Sequence, residues 1–322
     1  MFKIKSLNLL FAVFVVFIQV SCKTKAQQVT AAKAPTPSVS TPTEAVKSLL
    51  WEISGNGLKK PSHLYGTIHL IPKEDFFLTE ATKKVFTTSQ KVTFEINMKE
   101  MNNPMALLGM MTKAMMPGGK KLKDFLNDAD YALVQRKFDS LGMPLRMLER
   151  IKPMFLSVMV GNDGEKPALD GSAAESSKTT SYEMEFLQMG EKEKKEFAGL
   201  ETVEFQMGIF DSIPYQAQAD MLVKSIKGEG GEGKEEYKKM IEMYKSQDIE
   251  AMSRMLGSSD ETDLAKYESM LITTRNSNWI PIMKKMMQEK VTFFAVGAGH
   301  LGGEKGVVNL LRKAGYKVTA LK

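Results

Sequence analysis

The sequence predicts a mixed α/β fold, with a central β-sheet built from N- and C-terminal segments and a large helical insertion between them. Two observations favour this fold. Short β-branched and aromatic runs occur near both ends of the folded region, and stretches with helical periodicity occupy its middle. The composition, 43% hydrophobic and 25% charged, is typical of globular proteins. We see no internal repeat, so we expect residues 47–322 to form one domain.

The first 21 residues predict a signal peptide. Lys3 and Lys5 precede an apolar run at residues 9–18. This run is too short to span a bilayer, which needs about 20 residues. A small residue before Cys22 resembles the lipobox of bacterial lipoproteins, so we expect Cys22 to be lipidated and to become the mature N-terminus. Gln19 departs from that pattern, which usually has an aliphatic residue there, and ordinary cleavage near the same place is the alternative.

Residues 22–46 predict a disordered tether between the lipid and the domain. They are rich in Lys, Ala, Thr, Ser and Pro, and they offer almost nothing to bury in a core. We therefore expect a cell-envelope protein that is held on a membrane through its lipid anchor. The length of the tether favours the outer membrane.

Charge and cysteine content exclude several other classes of protein. The formal net charge of +6 is spread thinly along the chain, so we expect no nucleic-acid partner. The single cysteine excludes an internal disulfide and every Cys-rich zinc or iron–sulfur site. With only 3 histidines in the chain, imidazole chemistry must use His63, His69 or His300.

The predicted elements follow in order from residue 48. Strands are predicted at 48–54, 63–70 and 91–97, with a turn at 55–57 and a helix at 79–89. A long helical region has breaks at 117–119 and near 142–144, then an exposed loop at 161–180 and a flexible joint at 228–233. The remaining elements are helices at 235–256 and 262–288, a strand at 291–296, a helix at 304–314 and a strand at 316–321.

Four methionines lie close together in the insertion: Met110, Met111, Met115 and Met116. Thioethers bind Cu(I), and an exported protein can meet copper. Methionine also fills irregular helical cores and forms adaptable binding surfaces, and no histidine accompanies this group. We therefore favour packing or a soft binding surface over a copper site.

Two short motifs carry the residues best suited to chemistry. Gly66 precedes His69, and Gly297 precedes His300, each by three positions and each at the end of an apolar run. A glycine there allows a tight turn that projects the imidazole from a sheet edge into a cleft. Glu95 lies late in a predicted strand, where an inward carboxylate is costly unless it is paired. Two imidazoles and a carboxylate suffice for a divalent ion with an open position for water, and hydrogen-bonded structural histidines are the alternative.

The second motif also matches the dinucleotide-binding pattern G-x-G-x-x-G, over residues 297–302. In that pattern an acidic residue about 20 positions further on binds the ribose. The chain ends at Lys322, with no such acid on its last strand and no further strands to follow. We therefore reject a dinucleotide site.

Several motifs together resemble the TraB/GumN family, which is related to the TIKI metalloproteases. They are LYGTIHL, VTFEIN, GMPLRMLERIKP, GLETVEFQ, an Arg-Asn pair before a tryptophan, and AVGAGHLGGEKGVVNLLRKAGYKV. They occur in the family's order from residue 49 to the C-terminus, which covers nearly all of the folded part. The resemblance implies a mixed α/β domain in which both Gly-x-x-His motifs and the glutamate surround one cleft.

The resemblance also implies roles for individual residues. His69, His300 and Glu95 become candidate ligands of a divalent metal ion (Mn, Co or Zn), and Glu95, Arg275 and Glu201 become candidate catalytic residues. The implied reaction is hydrolysis of a peptide or protein substrate. Arg275 would stabilise the oxyanion or hold a substrate carboxylate, or it would belong to a buried salt bridge. Glu201 would be a base or a partner of a ligand histidine, or else a helix cap or a surface carboxylate.

A non-catalytic protein is the main alternative to this enzyme. A related fold binds haem in an exported lipoprotein, so the same cleft could hold haem or a peptide without chemistry. A scaffold with a decayed site is weaker, because the full motif set is present. His63 lies outside the family pattern, and we expect it to point to the opposite side of its strand or to solvent, without a functional role.

Overall fold

A six-stranded β-sheet lies at the centre of the computed structural model, which describes residues 46–100, 103–160, 178–227, 231–257 and 267–322. The mixed α/β prediction is confirmed, since the sheet takes strands from both ends of the chain and helices fill most of the middle. The strands are β1 (Leu50–Ser54), β2 (Ser62–Thr67), β3 (Ile71–Pro72), β4 (Lys91–Ile96), β5 (Thr179–Thr180), β6 (Glu196–Glu201), β7 (Thr292–Gly297) and β8 (Lys317–Leu321). In space the order is β6, β4, β7, β2, β1 and β8, and β3 pairs separately with β5.

Four neighbouring strands of this sheet run parallel. β2 pairs with β7 in a register that places Thr67 opposite Gly297, β7 pairs with β4, and β4 pairs with β6. β1 is antiparallel to both β2 and β8. The last residues of β6, β4, β7 and β2 therefore lie along one side of the sheet, which we call the carboxyl edge. Open α/β sheets bind their ligands at such an edge.

Twelve α-helices occur among the described residues, and ten of the twelve fall between β4 and β6 or between β6 and β7. They are α1 (Glu80–Thr88), α2 (Pro104–Ala114), α3 (Asp128–Ser140), α4 (Leu145–Leu148), α5 (Pro153–Val160), α6 (Tyr182–Lys192), α7 (Val203–Ile209), α8 (Tyr215–Lys227), α9 (Gly231–Lys245), α10 (Ile249–Gly257), α11 (Thr274–Glu289) and α12 (Val307–Lys313). A π-helical turn, Ser269–Thr273, leads into α11.

Local chemistry explains the elements that the sequence predicts well. Gly55, Asn56 and Gly57 all have positive φ, between 47° and 81°, and they form the turn between β1 and β2. The hydroxyl of Thr79 accepts a 3.1 Å hydrogen bond from the backbone N–H of Thr82, so helix α1 begins where the N-cap residue predicts. β4 begins at Lys91, as predicted, and ends one residue earlier than predicted.

Three predicted segments differ from the structure. The exposed loop predicted at 161–180 lies outside the described residues up to 177, and Thr179–Thr180 is a half-buried strand. The flexible joint predicted at 228–233 is helical from Gly231 onward. The single helix predicted at 235–256 is two helices, because Gln247 has a φ of 58° and the Asp248 carboxylate accepts from the N–H of Ala251 to start α10.

The hydrophobic core has three parts. The largest surrounds the sheet and packs α6, α9, α10, α11 and α12 against it. A second core lies among α3, α4, α5 and α8, and a third lies among α2, α5 and α7, next to Ile96 at the end of β4. The insertion thus has an interior of its own, and the third core links it to the carboxyl edge.

Two of the four clustered methionines pack in the interior, and the other two lie at the surface. Met110 and Met116 are buried, whereas Met111 is 67% exposed and Met115 is 38% exposed. This division agrees with the uses expected for these side chains, which are core packing and an adaptable surface. Among the described helices, none is long and apolar enough to cross a membrane. The predicted signal peptide, Cys22 and the predicted tether up to residue 45 lie outside the described residues.

Candidate active site

The residues singled out by the sequence converge at the carboxyl edge. Glu95 lies one residue before the end of β4, and Glu201 is the last residue of β6. His69 follows β2 by two residues, and His300 lies in a short 3₁₀ helix directly after β7. Because these four strands are parallel neighbours, all four residues lie at the carboxyl edge of the sheet.

The glycine of each Gly-x-x-His motif makes room for a close approach. A Cβ on Gly66 would lie 3.0 Å from the Ala298 Cβ and 3.0 Å from the Leu301 Cδ2, in the segment that carries His300. A Cβ on Gly297 would lie 3.3 Å from the Glu95 Oε1. The motifs therefore need glycine so that the two loops and the glutamate can pack together.

Arg275 lies at the centre of the site and has no exposed surface. Its Nη2 donates to Glu95 Oε2 over 2.6 Å, and its Nε donates to both oxygens of Glu201, at 3.0 and 3.2 Å. A second bond joins Nη2 to Glu201. Its Nη1 donates to the Leu271 carbonyl over 2.9 Å and lies 3.2 Å from His300 Nε2. Every guanidinium nitrogen is thus hydrogen-bonded within the protein.

Glu95 is a buried and ionised carboxylate. Burial by itself raises its pKa, but the Arg275 guanidinium and the neighbouring His300 and His69, together with the backbone N–H of Gly297, lower the pKa to about 2. The N–H of Gly297 donates to Glu95 Oε1 over 2.9 Å. The Oε1 atom also lies 3.8 Å from His300 Nε2. A negative charge is therefore fixed beside an imidazole nitrogen.

His300 is held as a neutral imidazole with a defined tautomer. Asn276 uses its amide nitrogen to donate to the carbonyls of His300 and Lys305, so its Oδ1 atom faces His300 Nδ1 at 2.7 Å and accepts the ring N–H. The Nε2 atom then carries the lone pair and points toward Arg275 and Glu95. Burial lowers the pKa of His300 to about 3, so the ring stays neutral.

His69 is paired with a carboxylate instead of an amide. Its Nδ1 lies 3.0 Å from Glu183 Oε1. Burial lowers the pKa of His69, but Glu183 raises it by more, and the net result lies above the usual range. The charge of His69 also contributes to the pKa values of Glu95 and His300. The two histidines therefore lie in one electrostatic environment.

The donor set fits a divalent ion by its chemistry. His300 has its Nδ1 hydrogen-bonded to Asn276, His69 is ion-paired with Glu183, and Glu95 is a charged oxygen donor. Within the described ranges, however, no group of three His, Cys, Asp or Glu side chains is arranged to hold a metal ion. His300 and Glu95 stand side by side, and His69 does not join them in a three-residue cluster.

Four residues of this site escaped the sequence analysis as individuals. Asn276 orients His300, Glu183 pairs with His69, Gln206 donates from Nε2 to Glu95 over 3.0 Å, and Trp279 donates from Nε1 to Glu201 over 3.1 Å. Gln206, Asn276 and Trp279 fall inside or beside motifs that the sequence analysis noticed. Glu183 stands two residues after a Ser N-cap at the start of α6, which offered no sign of a site.

Of the two positions expected for His63, the solvent-facing one is wrong. His63 lies within β2 and is only 5% exposed, so it does not point to solvent. Burial lowers its pKa to about 4, which keeps it neutral. Its strand partners are Glu52 on β1 and Phe293 on β7. His63 is thus an interior residue of the sheet.

These features define a mixed α/β protein with a buried cluster of glutamate, arginine and histidine at the carboxyl edge of its parallel strands. The chain belongs to the TraB/PrgY/gumN family, whose model matches residues 49–320. The resemblance inferred from the motifs is therefore confirmed.

Distant relatives of the chain are named as metalloproteases. Metalloprotease TIKI1 of Danio rerio is 24% identical, over 86% of this chain and 64% of that protein. Metalloprotease TIKI2 of Danio rerio is 22% identical, over 85% and 61%. Metalloprotease TIKI1 of Homo sapiens is 24% identical, over 85% and 62%. The chain therefore spans less than two thirds of the length of these relatives, and no solved structure gives a significant match.

Proposed function

We propose that this chain is a divalent-metal-dependent peptidase of the cell envelope. The observation that carries the proposal is the position of His69, Glu95 and His300 at the carboxyl edge of neighbouring parallel strands, where His300 Nε2 lies 3.8 Å from Glu95 Oε1. Relatives of the chain are named as metalloproteases, which supports a metal and a peptide or protein substrate.

His69, His300 and Glu95 would hold the ion. When bound, a divalent ion lowers the pKa of a water molecule and polarises a carbonyl group, which is the chemistry that peptide hydrolysis needs. Glu95 contributes a full negative charge at neutral pH because its pKa is about 2. His300 contributes a neutral imidazole because its pKa is about 3. His69 would complete the set.

Arg275 and Glu201 would position other residues of the site and would not contact the substrate. The hydrogen bonds of Arg275 are used on Glu95, Glu201, His300 and the Leu271 carbonyl, so it would bind an oxyanion or a substrate carboxylate only by releasing one of them. We therefore propose that Arg275 holds the two carboxylates in place. Glu201, whose carboxylate also accepts a hydrogen bond from Trp279, would belong to the same hydrogen-bonded group.

The location of the protein is a second part of the proposal. We propose that residues 1–21 are removed, that Cys22 carries the lipid and that residues 22–46 tether the domain to the outer membrane. The sequence pattern around Cys22 and the composition of the tether support it.

Metal content and cleavage test the proposed activity. The full-length chain is purified, its metals are measured by elemental analysis, and its absorbance is scanned for haem. It is then incubated with a peptide library with and without chelator. A stoichiometric divalent ion and cleavage that the chelator abolishes support the peptidase. A Soret band, or no metal and no cleavage, contradicts it, and the Soret band favours the haem-binding alternative.

Variants at the histidines sharpen this test. His69→Ala and His300→Ala should lose metal binding and cleavage together. His63→Gln is the matched control, because His63 is a buried histidine of the same sheet outside the cluster. Equal losses in all three variants would indicate damage to the fold rather than to the site.

A further inference from the structure

We propose that the exposed apolar side of helix α2, with the lysines and arginines around it, is a docking surface for a membrane that contains anionic lipids. This surface, which we call the α2 face, consists of Met105, Leu108, Met111 and Met115, and of Met147 on α4. It belongs to the folded domain and is distinct from the proposed lipid anchor. It rests on the proposed function only in that a membrane lies nearby.

The α2 face contains most of the exposed apolar side chains of the domain. Among the described residues, eight large hydrophobic side chains are exposed, and five of the eight belong to this face. Met105, Leu108 and Met111 are 73%, 57% and 67% exposed, and their spacing of three places them on one side of the helix. Met110 is buried on the other side, in the third core. A contiguous apolar surface of this kind marks an interaction site.

Backbone contacts extend the face from α2 to α4. Met115 forms an antiparallel bridge with Ile151, and the N–H of Met116 donates to the carbonyl of Arg150 over 2.7 Å. Met147, which is 81% exposed, lies about one helical turn before these contacts along the chain. The end of α2 and the exposed methionine of α4 are therefore neighbours.

Basic side chains surround the α2 face. Residues 103–125 and 144–151 contain two acidic side chains, Asp124 and Glu149, and six exposed basic ones: Lys113, Lys120, Lys121, Lys123, Arg146 and Arg150. Asp124 accepts from the backbone N–H of Lys121, and Glu149 pairs with the Lys121 ammonium over 3.4 Å. One further carboxylate approaches α2 from α7, since Glu204 Oε1 would lie 4.0 Å from a Cβ on Gly109. The surroundings of the face thus keep a net positive charge.

Shape and charge favour a membrane over the other possible occupants. A site for a peptide is usually concave, whereas Met105, Met111 and Met147 project into solvent. A two-fold contact with a second copy of the chain would bring two positive surfaces together. A helix with apolar side chains on one side and flanking lysines suits the interface of a bilayer with anionic lipids.

The path of the chain agrees with a membrane on this side of the domain. The carbonyl of Leu49, just before β1, accepts from the N–H of Gly66 over 2.9 Å, so the chain enters the fold near the carboxyl edge. Helix α2 lies at the same edge, because Met110 belongs to the core beside Ile96 at the end of β4. Docking through the α2 face would therefore turn the carboxyl edge toward the bilayer. The proposed peptidase would then meet substrates at the membrane surface.

Sedimentation with vesicles tests the face without the lipid anchor. The full-length chain with Cys22→Ala is mixed with vesicles of phosphatidylcholine, alone or with an equal part of phosphatidylglycerol. We expect tighter binding to the anionic vesicles, weakened by salt. Lys113→Gln and Lys120→Gln should each weaken it about fivefold, which corresponds to about 1 kcal/mol per lysine. Leu108→Gln combined with Met111→Gln should also weaken it.

Two lysines at the other edge of the sheet give the matched control. Lys284 and Lys285 are exposed near the end of α11, which leads to the start of β7. Lys284→Gln and Lys285→Gln should leave vesicle binding unchanged. Residues 1–45 are the same in every variant, so any binding by the N-terminal apolar run does not affect the comparison. Circular dichroism checks that each variant is folded.

A fluorescent label measures which side of the domain meets the bilayer. With Cys22→Ala, a cysteine introduced by Met111→Cys or by Thr88→Cys is the only thiol of the chain. Thr88 is exposed at the end of α1, just before the start of β4 and so at the opposite edge. Brominated lipids in the anionic vesicles should quench the label at residue 111 and not the label at residue 88.

Several outcomes would overturn the proposal. Equal binding to both kinds of vesicle, equal weakening by both pairs of lysine variants, or equal quenching of both labels would each do so. Binding of soluble polyglutamate without binding of vesicles would favour an acidic peptide partner instead. Dimers that form without lipid and are lost in Met111→Gln, again without vesicle binding, would favour a second copy. None of these measurements uses metal or cleavage, so failure of the proposed peptidase and failure of the α2 face are seen separately.

Discussion

The Nε atom of Arg275 donates to both oxygens of Glu201, at 3.0 and 3.2 Å, and so ties helix α11 to the last residue of strand β6. The same guanidinium reaches Glu95 at the end of the next strand, β4. One buried cation therefore pairs with two buried carboxylates on neighbouring strands. Each of these groups would be costly to bury alone, so the cluster is stable only as a complete set.

Removing Arg275 should therefore destabilise the fold strongly. Arg275→Met leaves Glu95 and Glu201 buried without their cation, and breaking a buried pair in this way costs about 3–5 kcal/mol. Arg275→Lys should lose less, because it keeps the charge but not the planar fork that bonds both carboxylates. Urea unfolding followed by circular dichroism measures both losses.

An exposed ion pair gives the control for this measurement. Lys290 pairs with Glu196 at the protein surface, where water screens the interaction. Lys290→Met should change the free energy of unfolding little. If Arg275→Met changed it by less than about 1 kcal/mol, as an exposed pair does, the cluster would not be the buried unit described above.

Two buried neutral histidines predict sensitivity to acid. Burial lowers the pKa of His63 to about 4 and that of His300 to about 3. The unfolded chain binds both protons near pH 6.5, so stability is lost as the pH falls below that value. Between about pH 6 and 5, where unfolded carboxyl groups are still mostly ionised, each histidine should contribute up to about 1.4 kcal/mol per pH unit. His69 has a raised pKa, so it is protonated in both states in this window and adds no slope.

Urea unfolding across this range, with chelator present, measures that slope. His63→Gln removes one of the two titrating groups while keeping a polar side chain of similar size. The slope should fall to about half in this variant, since one of the two protons no longer distinguishes the folded from the unfolded state. An unchanged slope would show that His63 is not held neutral in the folded protein.

The sequence could locate the histidines but not their partners. His69 and His300 each follow a glycine at the end of an apolar run, and parallel strands end at one edge, so their shared position was predictable. Glu183 was not, because it lies 116 positions from Thr67, which anchors it, and only the packing of α6 against β2 brings the two together. Local sequence patterns cannot indicate such a contact.

Strand β6 was missed for a related reason. Its sequence, EFAGLE, lacks β-branched residues and contains a glycine, which are features that argue against a strand. A Cβ on Gly199 would lie 2.5 Å from the backbone nitrogen of Asn97, just beyond β4. The close approach of the neighbouring chain thus requires the glycine. Tertiary packing outweighs strand propensity at this position, and it places Glu201 beside Arg275.

Lipidation of Cys22 makes a prediction about location. Wild-type protein expressed in bacteria should incorporate a fatty-acid probe and sediment with membranes, while Cys22→Ala should be unlabelled. Retention should be strong, because a single acyl chain binds membranes only marginally but several chains anchor stably. Labelling, fractionation and N-terminal sequencing measure the result. An unlabelled wild type whose mature N-terminus lies away from residue 22 would contradict the lipoprotein.

The glycine of the first motif should be required for the position of His300. A Cβ on Gly66 would lie 3.0 Å from the Ala298 Cβ and 3.1 Å from the Ala298 Cα, so the turn that carries His300 would have to move. Inserting a methyl group into a packed site costs about 1–3 kcal/mol, and we expect a loss of this size in Gly66→Ala. Urea unfolding measures it.

A second glycine and a double variant distinguish this clash from a general effect of replacing glycine. A Cβ on Gly208, in α7, would meet nothing within 4 Å, so Gly208→Ala should be neutral or stabilising by about 0.5–1 kcal/mol. Ala298→Gly removes the methyl group that Gly66→Ala would strike, and the double variant should therefore recover part of the loss, although the Ala298 backbone stays close. Strictly additive losses would mean that the two loops do not press on each other, and the need for glycine at residue 66 would require another cause.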